Sequence, residues 1–389
     1  MTQHPNFSPH PASALHTPDV PGMRVLLDCL HAGRGFMAQP TGPSPVTADD
    51  ANRQWVLCAT SGTSGKPKVI RRSPLSWIRS FGVTFETYGI DASHRYATFG
   101  SLGHSLTLYA SVEAICLGAD QWALGPRAPK AQAQAVATHG ITVIYATPTQ
   151  LGLLVKGAAQ AQIAGFPALT YVFCGGGALA DTVRVALQRL CPQAQIIVFF
   201  GASETSFITL TQAKTPHGSV GRAYPHVELR VDAPCGEVGE IWVKSPYLFA
   251  GYAAGDHSDT RWDVGFLSIG EMGWLDAAQN LFLKGRKNRM VTVADVNVFP
   301  EDIETCVVQM DHVQACAVVA VPDDRRGNRL ICFVQSDEAG PTAPQVQAHC
   351  RAVLGAHQVP KEVRRIARLP LLEAGKPDLV KLRALALGA

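Results

Sequence analysis

No C-x-x-C pair occurs among the ten cysteines, and no H-E-x-x-H spacing either. The cysteines stand singly, often inside apolar segments (Cys174, Cys316, Cys332), so they read as reduced core residues and no zinc site is expected. No run approaches the ~18 apolar residues of a membrane span. The opening MTQHPNFSPHPASALHTPDV lacks the basic start and the apolar stretch of about 7–15 residues that mark a signal peptide. A cytoplasmic protein without membrane contact is expected. Charge is sparse, at 17% of residues, and 34 basic against 31 acidic side chains leave a formal net charge of +3 with no basic cluster. Nucleic acid is thereby excluded as an expected partner. What is present is 389 residues, enough for roughly two or three domains. With 47% hydrophobic residues, 35 Gly and 26 Pro, the composition is that of a compact, loop-rich enzyme rather than a disordered chain.

Residues 1–50 hold eight prolines and one short helical candidate, 23–31, so most of this segment is expected to be extended and packed against the body or a partner chain. From Trp55 onward apolar strands alternate with amphipathic helices: strand 54–59, helices 74–88, 103–117 and 130–139, then strand 142–146. Such alternation predicts a largely parallel sheet. Strand 169–174 runs into Gly175-Gly176-Gly177, helix 182–190 has Asp181 as candidate N-cap, and strand 195–200 runs into Gly201. In a right-handed β-α-β unit both glycine-bearing turns fall at the carboxyl ends of parallel strands, where open α/β sheets bind ligands. Past Val220, strands 227–231, 239–243 and 281–283 suggest an antiparallel subdomain. After a boundary near Lys287 come helix 300–310, strands 315–321 and 330–334, helix 343–354, strand 362–366 and a Gly-Lys tail. The fold class is therefore α/β: a large domain, 1–286, with mostly parallel sheet and a small antiparallel subdomain, then a small α+β domain, 287–389.

The strongest chemical signal is Thr60-Ser61-Gly62-Thr63-Ser64-Gly65-Lys66-Pro67-Lys68, directly after a strand. Glycines let backbone N–H groups approach phosphate oxygens, the hydroxyls donate further bonds, and the lysines add positive charge. A Gly/Ser/Thr stretch alone is more often a linker; placement after a strand and the Lys-Pro-Lys ending favour a phosphate cradle. It is not a Walker A loop, because Thr60 stands where that motif has Gly and Pro67 follows the lysine where Ser or Thr would sit. Ser203 is no hydrolase nucleophile, since Gly201-Ala202-Ser203-Glu204-Thr205 lacks the second glycine of a nucleophile elbow.

The loop resembles the phosphate-binding signature of the adenylate-forming superfamily, which comprises acyl-CoA synthetases, peptide-synthetase adenylation domains and luciferases. Gly175-Gly176-Gly177-Ala178 is similar to its adenine-contacting strand end, and Phe200-Gly201-Ala202-Ser203-Glu204 to its aromatic-Gly-x-Thr-Glu motif. Gly236 through Tyr252, Ser268-Ile269-Gly270-Glu271, Gly285-Arg286, Val298 to Glu304 and Leu369 to Lys376 match later landmarks in order. The resemblance, from about residue 55 to the end, implies ATP and Mg²⁺ as cofactors and a small mobile C-terminal lid. It implies that Thr60 to Lys66 and Lys68 hold phosphates, with Lys66 also catalytic, and that Glu204 binds Mg²⁺ with help from Thr63. Phe200 would pack on adenine beside Gly201, Ala202 and Ser203; Glu271 and Arg286 would hold the ribose side. His104, Ser105 and Gly201 would border the acyl pocket, and Lys376 would meet the reacting carboxylate. A His on its own is as often merely structural, and Lys376 and Arg286 owe their roles wholly to the resemblance.

The implied reaction is attack of a small aryl or short-to-medium acyl carboxylate on the α-phosphorus of ATP, then transfer to CoA or a carrier-protein phosphopantetheine. Three departures bear on it. Glu271 replaces Asp, adding a methylene at the ribose; Asp295 stands where Gly usually lines the pantetheine tunnel; and members carry a far longer segment before the phosphate loop. Loss of that segment is expected to expose apolar surface and favour a homodimer. The competing expectation is a binding protein built on a decayed ligase.

Overall fold

The computed structural model describes residues 5–17, 19–39, 42–46, 54–60, 68–255, 259–372 and 377–388. Its central sheet has seven strands in the order Arg222–Ala223, Ser206–Leu210, Gln195–Ala202, Tyr171–Cys174, Val143–Ala146, Arg95–Thr98, Asp120–Ala123. The last five run parallel, as the alternation predicts; Ser206–Leu210 turns back antiparallel. Segments such as VIYA and YVFC read as unbroken apolar runs because both faces of a parallel sheet are covered. Tyr145 and Phe173 face helices Pro74–Tyr88 and Ser105–Leu117, while Ile144 and Val172 face Pro129–Thr138, Pro148–Gln160 and Asp181–Leu190.

Three local expectations are corrected. Asp181 is the first helical residue and Ala180 the N-cap, so its carboxylate complements the helix dipole from inside the first turn. Gly201 lies within its strand, paired with Phe207, rather than in the turn. The strand expected at 54–59 is Val56–Thr60 and does not join the parallel sheet. It forms an antiparallel hairpin with Lys68–Arg72, whose alternation turns Ile70 into the core, in a separate five-stranded sheet. Helix Met23–His31 forms as expected, burying Met23, Leu26, Cys29 and Leu30.

The N-terminal segment packs on the body. Phe36–Ala38 pairs in parallel with Val56–Thr60, and Phe7 packs against Trp77 and Phe81. The outermost strand of the central sheet is capped by residues 14–17: Gln121 N–H donates to Ala14 O, Ala123 N–H donates to Thr17 Oγ1, and the His16 ring stacks on Trp122 at 4.0 Å. Parts of the N-terminal segment thus cover portions of both sheets from within the chain.

The antiparallel subdomain is present, with Glu228–Val231, Gly239–Lys244, Arg261–Asp263, Phe266–Ser268, Glu271–Leu275 and Leu281–Arg286 in one sheet. Beyond it, two apolar clusters are built only from residues after 290, on the sheet Val313–Asp323, Gly327–Ser336, Glu362–Arg365 and its helices. All ten cysteines are free; nine are buried or half-buried, and Cys235, expected in the core, is exposed.

Candidate active site

The glycine turn sits at the carboxyl edge of the parallel strands. A Cβ on Gly175 would fall 2.1 Å from the Phe199 ring, and Gly176 has φ +86°, so neither position accommodates a side chain without strain. Gly176, Gly177 and Ala178 are exposed. Helix Pro148–Gln160, not foreseen from the sequence, begins beside them, with Thr147 and Gln150 forming a capping box.

Gln195–Ala202 carries Phe200 and Gly201 into a tight turn before Ser206–Leu210. Thr205 closes it: Ala202 N–H donates to Thr205 Oγ1 at 3.0 Å, and Ser206 takes the left-handed conformation at φ +56°. Glu204 projects from this turn, half-buried, with its carbonyl accepting from Phe249 N–H at 2.8 Å. Its Oε1 accepts from the Tyr252 hydroxyl at 3.0 Å, and that hydroxyl lies 2.8 Å from Thr260 Oγ1. Burial, reinforced by the Glu204 charge, pushes the Tyr252 phenol up, so it donates at neutral pH. Lys68 Nζ lies 5.6 Å from the centre of the same ring. Tyr252 therefore bridges the end of the phosphate loop and the carboxylate; in the sequence it stands only as a landmark.

Arg72 was not foreseen either. It is fully buried, and its Nη2 donates to Ser203 O and its Nη1 to Tyr247 O, each at 2.5 Å.

The structure joins Glu271 to Arg286. The two are register partners across Glu271–Leu275 and Leu281–Arg286, with Arg286 Nη2 2.8 Å from Glu271 Oε1. Next to them, Lys287 pairs with Glu240 at 3.0 Å, whereas Arg289 pairs with Glu301 and Glu304 of helix Pro300–Val308. Asp295 is exposed in a hairpin turn at φ +63°, a conformation glycine adopts freely. His104, exposed, and Ser105 open helix Ser105–Leu117, and no hydrogen bond among the described residues links either side chain to Gly201 or Glu204. The Thr60 side chain, Ser61 to Pro67 and Lys376 lie outside the described residues. The donor chemistry at Glu204 suits Mg²⁺, which takes one or two carboxylates together with phosphate oxygens.

The chain matches the AMP-binding enzyme family over residues 7–253 and the AMP-binding enzyme C-terminal domain over 302–376. It is 30% identical over 345 residues to the uncharacterized acyl-CoA ligase YhfT of Bacillus subtilis, covering 85% of this chain and 68% of that protein. It is 28% identical over 320 residues to the putative long chain fatty acid-CoA ligase VraA of Staphylococcus epidermidis, covering 82% and 68%. Among solved structures, the amide bond synthetase McbA of Marinactinospora thermotolerans superposes with a TM-score of 0.75 at 26% identity, over 85% of this chain and 69% of that one. The Bacillus subtilis o-succinylbenzoate CoA synthetase with ATP and magnesium gives 0.74 at 21% identity, over 84% and 69%, a likeness of fold.

Proposed function

Since the chain belongs to the AMP-binding enzyme family, we propose that it activates a small carboxylic acid, aryl or short-to-medium acyl, with ATP and then transfers the acyl group to a thiol. The observation that carries this reading is the convergence of Lys68 and Glu204 on Tyr252 at the sheet edge where the glycine turn also opens. A carboxylate oxygen attacks the α-phosphorus, the bond to the bridging oxygen breaks, and pyrophosphate leaves with the displaced electron pair. Both reactants are anions, so the site has to neutralise and align them. Lys66 and Lys68 would hold the phosphates, Lys376 the carboxylate and α-phosphate, and Glu271 with Arg286 the ribose side. Glu204, with Thr63, would hold Mg²⁺, which when bound screens the phosphate oxygens.

The domain reading, 1–286 and 287–389, draws support from the two apolar clusters built only from residues after 290. Side-chain pairing runs both ways at the boundary: Arg286 and Lys287 hold Glu271 and Glu240, Arg289 holds helix Pro300–Val308, and Lys284 reaches across to Asp302 at 2.8 Å. A lid turning between Lys287 and Arg289 would carry Lys376 in for adenylation and away for transfer. CoA is the acceptor favoured by the names of the ligase relatives; a carrier-protein arm, or the amine suggested by the likeness to an amide bond synthetase, are alternatives for the second step. A homodimer completes the reading, and sedimentation as a monomer at micromolar concentration removes it.

Replacing Lys376 with Ala is expected to lower adenylate formation by orders of magnitude while ATP still binds in calorimetry. Full activity of that variant removes the role given to the lysine.

A further inference from the structure

Arg72 is 1% exposed, and among the described residues no carboxylate lies within ion-pair distance of its guanidinium. Every bond it makes there goes to a neutral oxygen: Ser203 O and Tyr247 O at 2.5 Å and Ser76 Oγ at 3.0 Å, with the Trp77 ring centre 5.9 Å away. A buried cation without a counter-ion is costly, and burial accordingly pulls this guanidinium down to about 10, against smaller opposing effects of Cys58, Glu204 and Tyr109. A residue held at such cost fixes something.

What it fixes is the frame of the carboxylate. Ser203 is the residue before Glu204; Tyr247 lies two residues before Phe249, whose N–H holds the Glu204 carbonyl. Arg72 itself ends the strand that begins at Lys68, and the neighbouring Arg71 carbonyl accepts from Ala250 N–H at 2.8 Å. Three segments distant in sequence therefore meet on one guanidinium: the strand leaving the phosphate loop, the Glu204 turn, and the segment that delivers Tyr252.

We propose that Arg72 is a positioning residue that holds the Glu204 carboxylate in register with the phosphate-loop strand. The inference rests on the adenylation reading. A planar fork with several N–H donors suits the task, because it can reach two carbonyls in different segments at once. An ammonium on a lysine stem has one donor centre and reaches only one of them well.

The test compares wild type with Arg72→Lys and, should that variant not fold, with Arg72→Gln. Two readouts are taken on protein whose melting is first recorded: amide hydrogen exchange across residues 203–206 and 249, and calorimetric ATP binding as Mg²⁺ is varied. Loss of a charged hydrogen bond sets the scale at about tenfold. Exchange in the turn is expected to quicken about tenfold. The Mg²⁺ concentration that half-restores tight ATP binding is expected to rise by a similar factor, with metal-free nucleotide binding unchanged. A variant that melts earlier yet exchanges and responds to Mg²⁺ like wild type overturns the proposal, as does one indistinguishable from wild type. If wild type binds no ATP with Mg²⁺, the adenylation reading fails, and the exchange measurement alone decides whether Arg72 holds the turn.

Discussion

At the scale of single residues, the chain carries a second buried ionisable group that the proposed reaction does not use. Glu113 is wholly buried on helix Ser105–Leu117 and accepts from the hydroxyls of Thr84 at 2.9 Å, Tyr109 at 2.9 Å and Tyr96 at 3.1 Å, with Tyr145 also bonded. No cation is paired with it among the described residues. Desolvation pushes its carboxyl up to about 7, and the four hydroxyls only partly offset that. The folded state therefore keeps a proton that the unfolded chain releases near 4.5. The stability this gives is complete below that value and declines as pH rises through 7. Between pH 5 and pH 8 the loss is about 2–3 kcal/mol, since each tenfold difference in proton affinity between the folded and unfolded chain is worth about 1.4 kcal/mol. Denaturant titrations at the two pH values are expected to show this decline in wild type and to show it removed in Glu113→Gln. Equal pH dependence in both proteins contradicts the assignment. Neither Glu113 nor Arg72 was legible in the sequence. Their partners are scattered: Ser203 lies 131 residues and Tyr247 175 residues from Arg72, and nothing local marks such pairings. The phosphate-loop reading could be made because its chemistry is contiguous in the sequence; its residues 61–67 lie outside the described residues.

At the scale of elements, periodicity was a good guide where one face is buried and the ends are marked. Helix Pro74–Tyr88 has Pro at its first position and a left-handed Gly89 after its end, and it stands where the spacing placed it. Helix Pro148–Gln160 was missed, although Thr147-Pro148 and Gln150 spell a capping box. Strand Lys68–Arg72 was missed because four of its five residues are cationic or only partly buried, and its pairing is set by the hairpin rather than by its own pattern. The Glu204 turn is the element on which the site depends most, and Gly201, in the strand that leads into it, is closely packed: an added Cβ would come 2.0 Å from Ser206 O, a backbone atom that cannot step aside. Gly201→Ala is expected to destabilise the fold by about 1–3 kcal/mol and to impair nucleotide binding. A melting curve and ATP affinity equal to wild type would show that the two strands part more easily than their register indicates.

At the scale of the whole molecule, the alternation of apolar strands with amphipathic helices predicted the α/β class and the short strands past Val220 predicted the antiparallel subdomain, and the sheet topology agrees with both. The part least legible was the start of the chain, where eight prolines suppress periodicity; the described residues of 5–17, 19–39 and 42–46 help to cover the sheets. Phe7 tests whether that cover is integral. Since it is 3% exposed and packed between Trp77 and Phe81, Phe7→Ala is expected to cost about 3–5 kcal/mol in denaturant unfolding. A loss near zero would mean the segment rests on the surface without contributing to the core. Among the described residues no helix is long and apolar enough to cross a membrane.

The most direct measurement of the central claim is pyrophosphate release with ATP, Mg²⁺ and a panel of aryl and short-to-medium fatty acids, each with and without CoA. Release with one class of acid, stimulated by CoA, is the expected result. Release indifferent to CoA keeps adenylation and moves the acceptor to a carrier protein or an amine. Silence across the panel, with no ATP binding in calorimetry, contradicts the adenylation reading and leaves a ligand-binding protein on a ligase fold.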